Sequence, residues 1–112
     1  MNIPHLTVLR DTLLNLPPEI HFDMNVGHNS HPCGTAACIA GVCYTIQHPA
    51  HAGTSPGWSS VRNLALDWLD LPDDRGCIGH PLFDFDLAPK GCTPQRAAEA
   101  VQNVMDNQSP WN

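Results

Sequence analysis

The sequence predicts a mainly α-helical fold: one compact globular domain over residues 1–112 with four main helices, and a short two-stranded β-ribbon at about 20–26 and 82–87. Three observations lead to this prediction. A chain of 112 residues suits a single hydrophobic core. Its 42% of hydrophobic residues and mean hydropathy of -0.21 are typical of soluble globular proteins. Four segments place apolar residues at the i, i+3, i+4, i+7 spacing of a helix that packs one face on a core.

The first predicted helix begins near Pro4 and ends at the proline pair of residues 17–18. Proline suits the first turn of a helix, where an N–H has no partner within the helix, but it stops a helix further along. One face of this helix carries Leu6, Leu9, Leu13 and Leu16. The spacing predicts that this face is buried.

The second predicted helix follows Thr35, a suitable N-cap residue, and runs to about Gln47. Its apolar stripe consists of Ile39, Val42, Cys43 and Ile46. The opposite face carries Ala37 and Gly41, although glycine inside a helix costs about 1 kcal/mol relative to alanine. Small residues there indicate that another element approaches closely. We therefore expect this helix to lie at the centre of the domain, covered on two sides.

The last two helices are predicted from the same spacing. The third follows the segment GTSPGWSS, ends at LPDD and carries Val61, Leu64, Ala65 and Trp68. The fourth has Thr93 as N-cap and Pro94 as its first residue, and it carries Ala97, Ala100, Val101 and Val104. The β-ribbon is predicted from the strict alternation of apolar and polar residues in EIHFDMNV and in LFDFDL.

The charge distribution argues against a nucleic-acid-binding protein. The net charge is -6, from 5 basic and 11 acidic residues, and the basic residues form no patch that would displace phosphate counterions. No run approaches the roughly 20 apolar residues of a membrane span, and the N-terminus lacks the basic-then-apolar order of a signal peptide. We therefore expect a cytoplasmic protein that binds neither nucleic acid nor membrane.

Acidic residues concentrate in one short region, at Asp67, Asp70, Asp73, Asp74, Asp84 and Asp86. The first four, near the end of the third helix, form an acidic cluster that is a candidate partner-binding surface. Only 14% of the residues are charged, against about 25% in an average domain, and a surface so poor in charge is often covered by a partner. Two alternatives are a weak cation site and, more simply, solvated helix and loop ends.

Two cysteines and two histidines share the segment HNSHPCGTAACIAG at residues 28–41, which allows three interpretations. The first is a zinc site, because zinc binds imidazole nitrogen and thiolate sulfur. Its ligands would be His28, His31, Cys33 and Cys38. Structural zinc sites usually join two separated pairs of ligands, so a more distant residue would complete the site, namely Cys77, Cys92 or His80.

The second interpretation is a cysteine-dependent hydrolase with Cys33 or Cys38 as nucleophile, because a helix N-terminus favours the thiolate. The base would be His31, or His80 oriented by Asp84. The segment CGTAAC shares features with the CGSC of papain-like proteases, but the spacing differs, the bulky aromatic residue after the nucleophile is missing and the chain is too short for that two-domain fold.

The third interpretation is that the cysteines only fill the core, since unpaired cysteine is among the most buried residue types. Cys43 lies within the apolar stripe of the second helix and is expected to be buried there. Five cysteines cannot all pair with one another, and without a secretion signal we expect them to be reduced.

Five segments in order resemble a group of small uncharacterised bacterial and bacteriophage proteins. They are FDM at 22–24, CGTAACIAG at 33–41, LALDWLDL at 64–71, LF at 82–83 and TPQRAAEAV at 93–101. Members of the group carry a C-G-T-x-x-C-x-A-G signature and a C-terminal TPxxAA helix, and the likeness covers roughly residues 20–105. The sequence departs from the group where LDL replaces a usual glycine. The resemblance implies a bacterial or phage origin and a mostly helical fold, and it implies no reaction.

These observations together favour a non-enzymatic accessory protein that binds another protein, such as a host factor or a component of a defence system. If it is phage-encoded, it would act in the host cytoplasm. We expect no cofactor, with zinc as the alternative, and the sequence leaves the oligomeric state open.

Overall fold

The computed structural model describes residues 1–24, 28–31, 34–48, 57–73, 76 and 78–111, with the backbone alone at 28–31 and 34–36. In chain order these residues form helix α1 (Ile3–Leu14), strands β1 (Ile20–Phe22), β2 (His28–His31) and β3 (Gly34–Ala37), helices α2 (Ile39–Gln47) and α3 (Trp58–Leu69), a 3₁₀ helix (Pro81–Phe83) and helix α4 (Pro94–Met105). The Cα radius of gyration is 12.5 Å, close to the roughly 13 Å of a compact domain of this length. The prediction of a mainly α fold with four main helices is confirmed.

The last helix begins at Pro94, as the sequence predicts, and the first begins at Ile3, one residue before its predicted start near Pro4. The side chain of Asn2 caps α1 by accepting a hydrogen bond from the N–H of His5, at 3.0 Å. Thr93 caps α4 in the same way, and its hydroxyl oxygen lies 3.2 Å from the backbone nitrogen of Arg96. These two helices pack mainly against each other, and the predicted leucine face of α1 is fully buried at Leu6, Leu9 and Leu13.

The second helix begins later than predicted, and the N-cap prediction at Thr35 was wrong. Thr35 lies in β3, the central strand of a three-stranded sheet, between Ile20 of β1 and Ser30 of β2. Strand β3 pairs in parallel with β1 and in antiparallel with β2. Its backbone therefore forms hydrogen bonds with a strand on each side instead of starting a helix. Cys38 is the N-cap residue instead. The central position predicted for α2 is confirmed, since its first six residues are all buried.

The predicted ribbon partner of β1 was also wrong. Residues 20–22 form a strand, but they pair with β3, and residues 25–27 of the predicted strand lie outside the described residues. The segment 82–87 contributes to the 3₁₀ helix and the turns that follow it. Asp84 explains the difference, because its carboxylate accepts a hydrogen bond from the N–H of Asp86 at 2.9 Å, an Asx turn that competes with strand formation.

The turns separate two phenylalanines that the alternation had placed on the same side of a strand. Phe83 is only 2% exposed and belongs to the core, whereas Phe85 is 47% exposed. The indole N–H of Trp111 donates to the carbonyl oxygen of Pro81 at 3.0 Å and so fixes the C-terminal segment on the 3₁₀ helix. No helix among the described residues is both long and apolar enough to cross a membrane.

Candidate functional site

Cys38 lies where the sheet passes into α2, at the N-cap position of that helix. The side chain is 2% exposed. Burial raises the pKa of the Cys38 thiol to about 11, because an ionised sulfur would lose its hydration there; the backbone amides of Gly41 and Ala40 oppose this shift but do not overcome it. A nucleophilic thiol needs the opposite shift, so this site does not activate Cys38.

Cys43 is fully buried in α2, as predicted for a core residue. Burial raises the pKa of its thiol well above the ordinary value, and the nearby Cys38 acts in the same direction. The thiols of Cys38, at the N-cap of α2, and of Cys43, within that helix, are therefore protonated at neutral pH. Their environment matches the interpretation of these cysteines as core filling.

The zinc hypothesis rests on side chains that lie largely outside the described residues. The backbones of His28 and His31 lie in β2, opposite Ala37 and Gly34 of β3, and Cys33 is outside the described residues. Among the residues whose side chains the structure describes, no three histidine, cysteine or acidic residues are grouped in a way that would hold a metal ion. The zinc site stays a prediction, which metal analysis of the purified protein tests.

His80 and Asp84, the base and the orienting carboxylate of the hydrolase hypothesis, both bind backbone N–H groups of their own turns. The Nδ1 atom of His80 accepts a hydrogen bond from the N–H of Leu82 at 3.1 Å and so caps the 3₁₀ helix. Asp84 is buried and accepts from Asp86. The first bond stabilises the 3₁₀ helix, and the second stabilises the turn that follows it.

The acidic cluster lies at the C-terminal end of α3, where Asp67, Asp70 and Asp73 are exposed; Asp74 lies outside the described residues. Asp70 is the C-cap residue and has left-handed backbone geometry, with a φ of 53°. Its carboxylate accepts a hydrogen bond from the amino group of Met1 at 2.9 Å. Carboxylates near a helix C-terminus do not stabilise the helix, because they meet the negative end of its dipole. The carboxylate of Asp67 therefore does not stabilise α3 through the helix dipole.

A cleft of about 560 Å³ lies between the end of β1 and the loop that precedes α4. Residues 22–24 form one wall, and residues 85, 86 and 88–92 form the other. We call this cleft with its two walls the β1–loop cleft. Its volume falls within the range of roughly 300–1,000 Å³ that is usual for ligand sites.

The fold builds the β1–loop cleft from two segments far apart in the sequence. Strands β1 and β3 are parallel, so their carboxyl ends meet at one edge of the sheet, where the N–H of Asp23 donates to the carbonyl oxygen of Ala37 at 2.9 Å. The opposite wall follows the 3₁₀ helix in the chain, and the buried side chains of Leu82 and Phe83 anchor that helix in the core. Gly91 has a φ of +67°, a conformation that favours glycine and lets the loop turn back into α4.

The walls of the β1–loop cleft combine aromatic and charged groups. Phe22 and the half-exposed Phe85 are the aromatic groups, and Asp23, Asp86 and Lys90 are exposed charges. Cys92 is half-buried, and burial raises the pKa of its thiol, with Arg96 opposing the shift. Such a surface is equipped to bind a ligand rather than to activate a nucleophile.

The β1–loop cleft could not be predicted from the sequence. Phe85 and Asp86 belong to a segment that alternation assigned to a strand, and Asp23 belongs to another. The proline and glycine of APKG, residues 88–91, were the available signal, because these residues mark loops and loops often carry binding sites.

We expect Cys38 and Cys43 to resist alkylation in the folded protein, because both are buried and protonated. With iodoacetamide at pH 7, peptide mapping should show Cys92 modified first among these three, and Cys38 and Cys43 modified only after unfolding in urea. Modification of Cys38 at the rate of Cys92 would contradict its burial. In the same map, the hydrolase hypothesis requires Cys33 to react faster than free cysteine.

Comparison of the chain with protein-family models, with curated proteins and with solved structures finds no match in any of the three.

Proposed function

We propose that this protein is a non-enzymatic accessory protein that acts by binding another protein. The observation that carries the proposal is the pair of large apolar side chains beside the β1–loop cleft. Phe85 and Leu87 are each 47% exposed, on a loop held by the buried Phe83. Aromatic side chains are enriched in protein interfaces, and an exposed aromatic group beside a concave surface is typical of a docking site.

The low charge content supports the same function. Charged residues make up 14% of the chain, and the cores of protein interfaces are depleted in charge. The exposed aspartates Asp67, Asp70 and Asp73, together with Asp74, would contribute an acidic part of the partner-binding surface. A net charge of -6 favours a protein partner over a nucleic acid.

The environment of Cys38 supports a binding function over a hydrolytic one, because the raised pKa leaves almost no thiolate at neutral pH. The resemblance to small bacterial and bacteriophage proteins extends the proposal to a setting. In that setting the protein would act in a bacterial cytoplasm on a host factor or on a component of a defence system.

The proposal is tested by site-specific photocrosslinking in bacterial cells. A photoreactive benzoylphenylalanine replaces Phe85 in one variant and Val8 in a control variant; Val8 is 44% exposed, nearly the same as Phe85, but lies on α1. We expect irradiation to trap a protein of one size at position 85 and nothing above background at position 8. Absence of any adduct at position 85, or equal adducts at both positions, would overturn the proposal.

A further inference from the structure

We infer that the β1–loop cleft receives an arginine side chain from an extended segment of the partner protein, with an aliphatic residue beside the arginine. This inference rests on the proposed function, since it assigns the chemistry of the segment that docks. It follows from three properties of the cleft: its charge, its aromatic walls and the apolar surface next to its opening.

The charge of the β1–loop cleft favours a cation. Asp23 and Asp86 bring two exposed carboxylates to the walls, against the single ammonium group of Lys90. Within the part of the chain that the structure describes, neither Asp86 nor Lys90 takes part in an ion pair. The Asp86 carboxylate is thus available to a ligand, while its backbone N–H is held by Asp84 at 2.9 Å. This bond fixes the backbone that carries the carboxylate, so the loop loses little freedom when Asp86 binds a partner.

The aromatic walls favour arginine over lysine. A guanidinium group is planar and weakly hydrated, so it stacks on an aromatic face while its N–H groups bind carboxylates two at a time. The β1–loop cleft offers both surfaces, with Phe22 and Phe85 beside Asp23 and Asp86. A lysine ammonium is a compact, strongly hydrated charge and makes less use of the rings.

The surroundings favour a peptide segment over free arginine. Leu87 is 47% exposed and does not line the cleft, but it lies in the chain between Asp86 and Ala88, which do, so it offers apolar contact to a ligand that extends beyond the cleft. Free arginine has no group that reaches this surface. A segment with leucine beside arginine fills the cleft and covers Leu87 at the same time, which removes both apolar surfaces from water.

The test is a titration followed by amide resonances in NMR spectra. The probes are the blocked pentapeptides Gly-Leu-Arg-Leu-Gly, its citrulline analogue, which keeps the shape without the charge, its lysine analogue, and free L-arginine. We expect saturable shifts from the arginine peptide at residues 22–24 and 85–92. Loss of one solvent-exposed charge pair corresponds to at most about fivefold in affinity, so the citrulline peptide should bind about two- to fivefold more weakly. The lysine analogue, which stacks less well on the aromatic rings, and free L-arginine, which does not reach Leu87, should also bind more weakly than the arginine peptide.

Matched variants locate the effect. Asp86→Asn should weaken binding of the arginine peptide by about two- to fivefold. Asp106→Asn changes another exposed aspartate, one that lies at the end of α4 and does not line the cleft, and it should leave binding unchanged. Lys90→Ala should strengthen binding of the arginine peptide, because it removes a positive charge that repels the guanidinium group. The inference is overturned if the arginine peptide gives no saturable shift, if citrulline or free arginine binds equally well, or if the shifts fall outside the cleft. In that case, a protein trapped by photocrosslinking at position 85 would leave the proposed function standing.

Discussion

Replacement of Phe83 by alanine is expected to lower the free energy of unfolding by about 3–5 kcal/mol. Phe83 is 2% exposed, and the 3₁₀ helix that carries it packs against α2 and α4. Removing the ring costs its transfer free energy and leaves a cavity that the surrounding side chains fill only in part. This is a large fraction of the 5–15 kcal/mol that stabilises a typical domain. Urea denaturation followed by circular dichroism measures the loss.

Phe85 is the matched control, two residues further along the chain and 47% exposed. Alanine at position 85 should change the free energy of unfolding by no more than about 0.5 kcal/mol. If Phe83→Ala does not fold, Phe83→Leu should fold with a smaller loss of about 1–2 kcal/mol, since less volume is removed. Equal effects of alanine at the two positions would contradict the separation of a core residue from a docking residue.

Alkaline pH is expected to destabilise the protein through its buried thiols. The pKa of Cys38 is raised from 9.0 to about 11 in the folded protein, so between these values the unfolded chain releases a proton that the folded chain retains. The stabilisation from this site is complete below pH 9 and is lost as the pH rises towards 11. Between these two pKa values, each pH unit lowers the free energy of unfolding by about 1.4 kcal/mol per thiol. Ionisation of Cys38 alone should therefore lower the free energy of unfolding by about 2–3 kcal/mol by pH 11.

Cys43 acts in the same direction, because burial raises the pKa of its thiol as well. Urea denaturation at several pH values between 8 and 11 measures the slope, and Cys38→Ala should make that slope shallower. The half-buried Cys92 provides the control, and Cys92→Ala should change the slope less than Cys38→Ala does. An identical slope in the parent protein and in Cys38→Ala would show that the Cys38 thiol is not buried in the folded state.

Helix ends that depend on local hydrogen bonds could be predicted from the sequence. The N-cap of α4 is set by Thr93 and Pro94, which lie next to each other, and the physics of a cap needs no distant partner. The buried faces of α1 and α4 could be predicted for a similar reason, because the helical repeat alone determines which residues share a face. Leu6, Leu9 and Leu13 are fully buried as expected.

The start of α2 and the partner of β1 could not be predicted, because each depends on pairing between distant segments. Thr35 suits an N-cap and a strand equally well, and the choice is made by β1 and β2 on either side of β3. Alternation in LFDFDL is the mark of a strand, but the buried carboxylate of Asp84 offers its own backbone a turn instead.

The β1–loop cleft could not be predicted for the same two reasons: it depends on pairing between distant strands and on the turn at Asp84. Its walls come from residues 22–24 and 85–92, which the parallel pairing of β1 with β3 and the anchoring of the loop by Phe83 place opposite each other. Each segment alone shows only a mixture of aromatic and acidic residues. Only when the fold places residues 22–24 opposite residues 85–92 do the aromatic and acidic side chains of both segments line one cleft.

The decisive measurement is the crosslinked fraction at position 85 compared with that at position 8 in the same cells. Both side chains are about equally exposed, so nonspecific collisions should label them equally. If the loop beside the β1–loop cleft is the docking surface, we expect one discrete protein adduct at position 85 and only background at position 8. A yield at position 85 no greater than at position 8 would contradict docking at this surface.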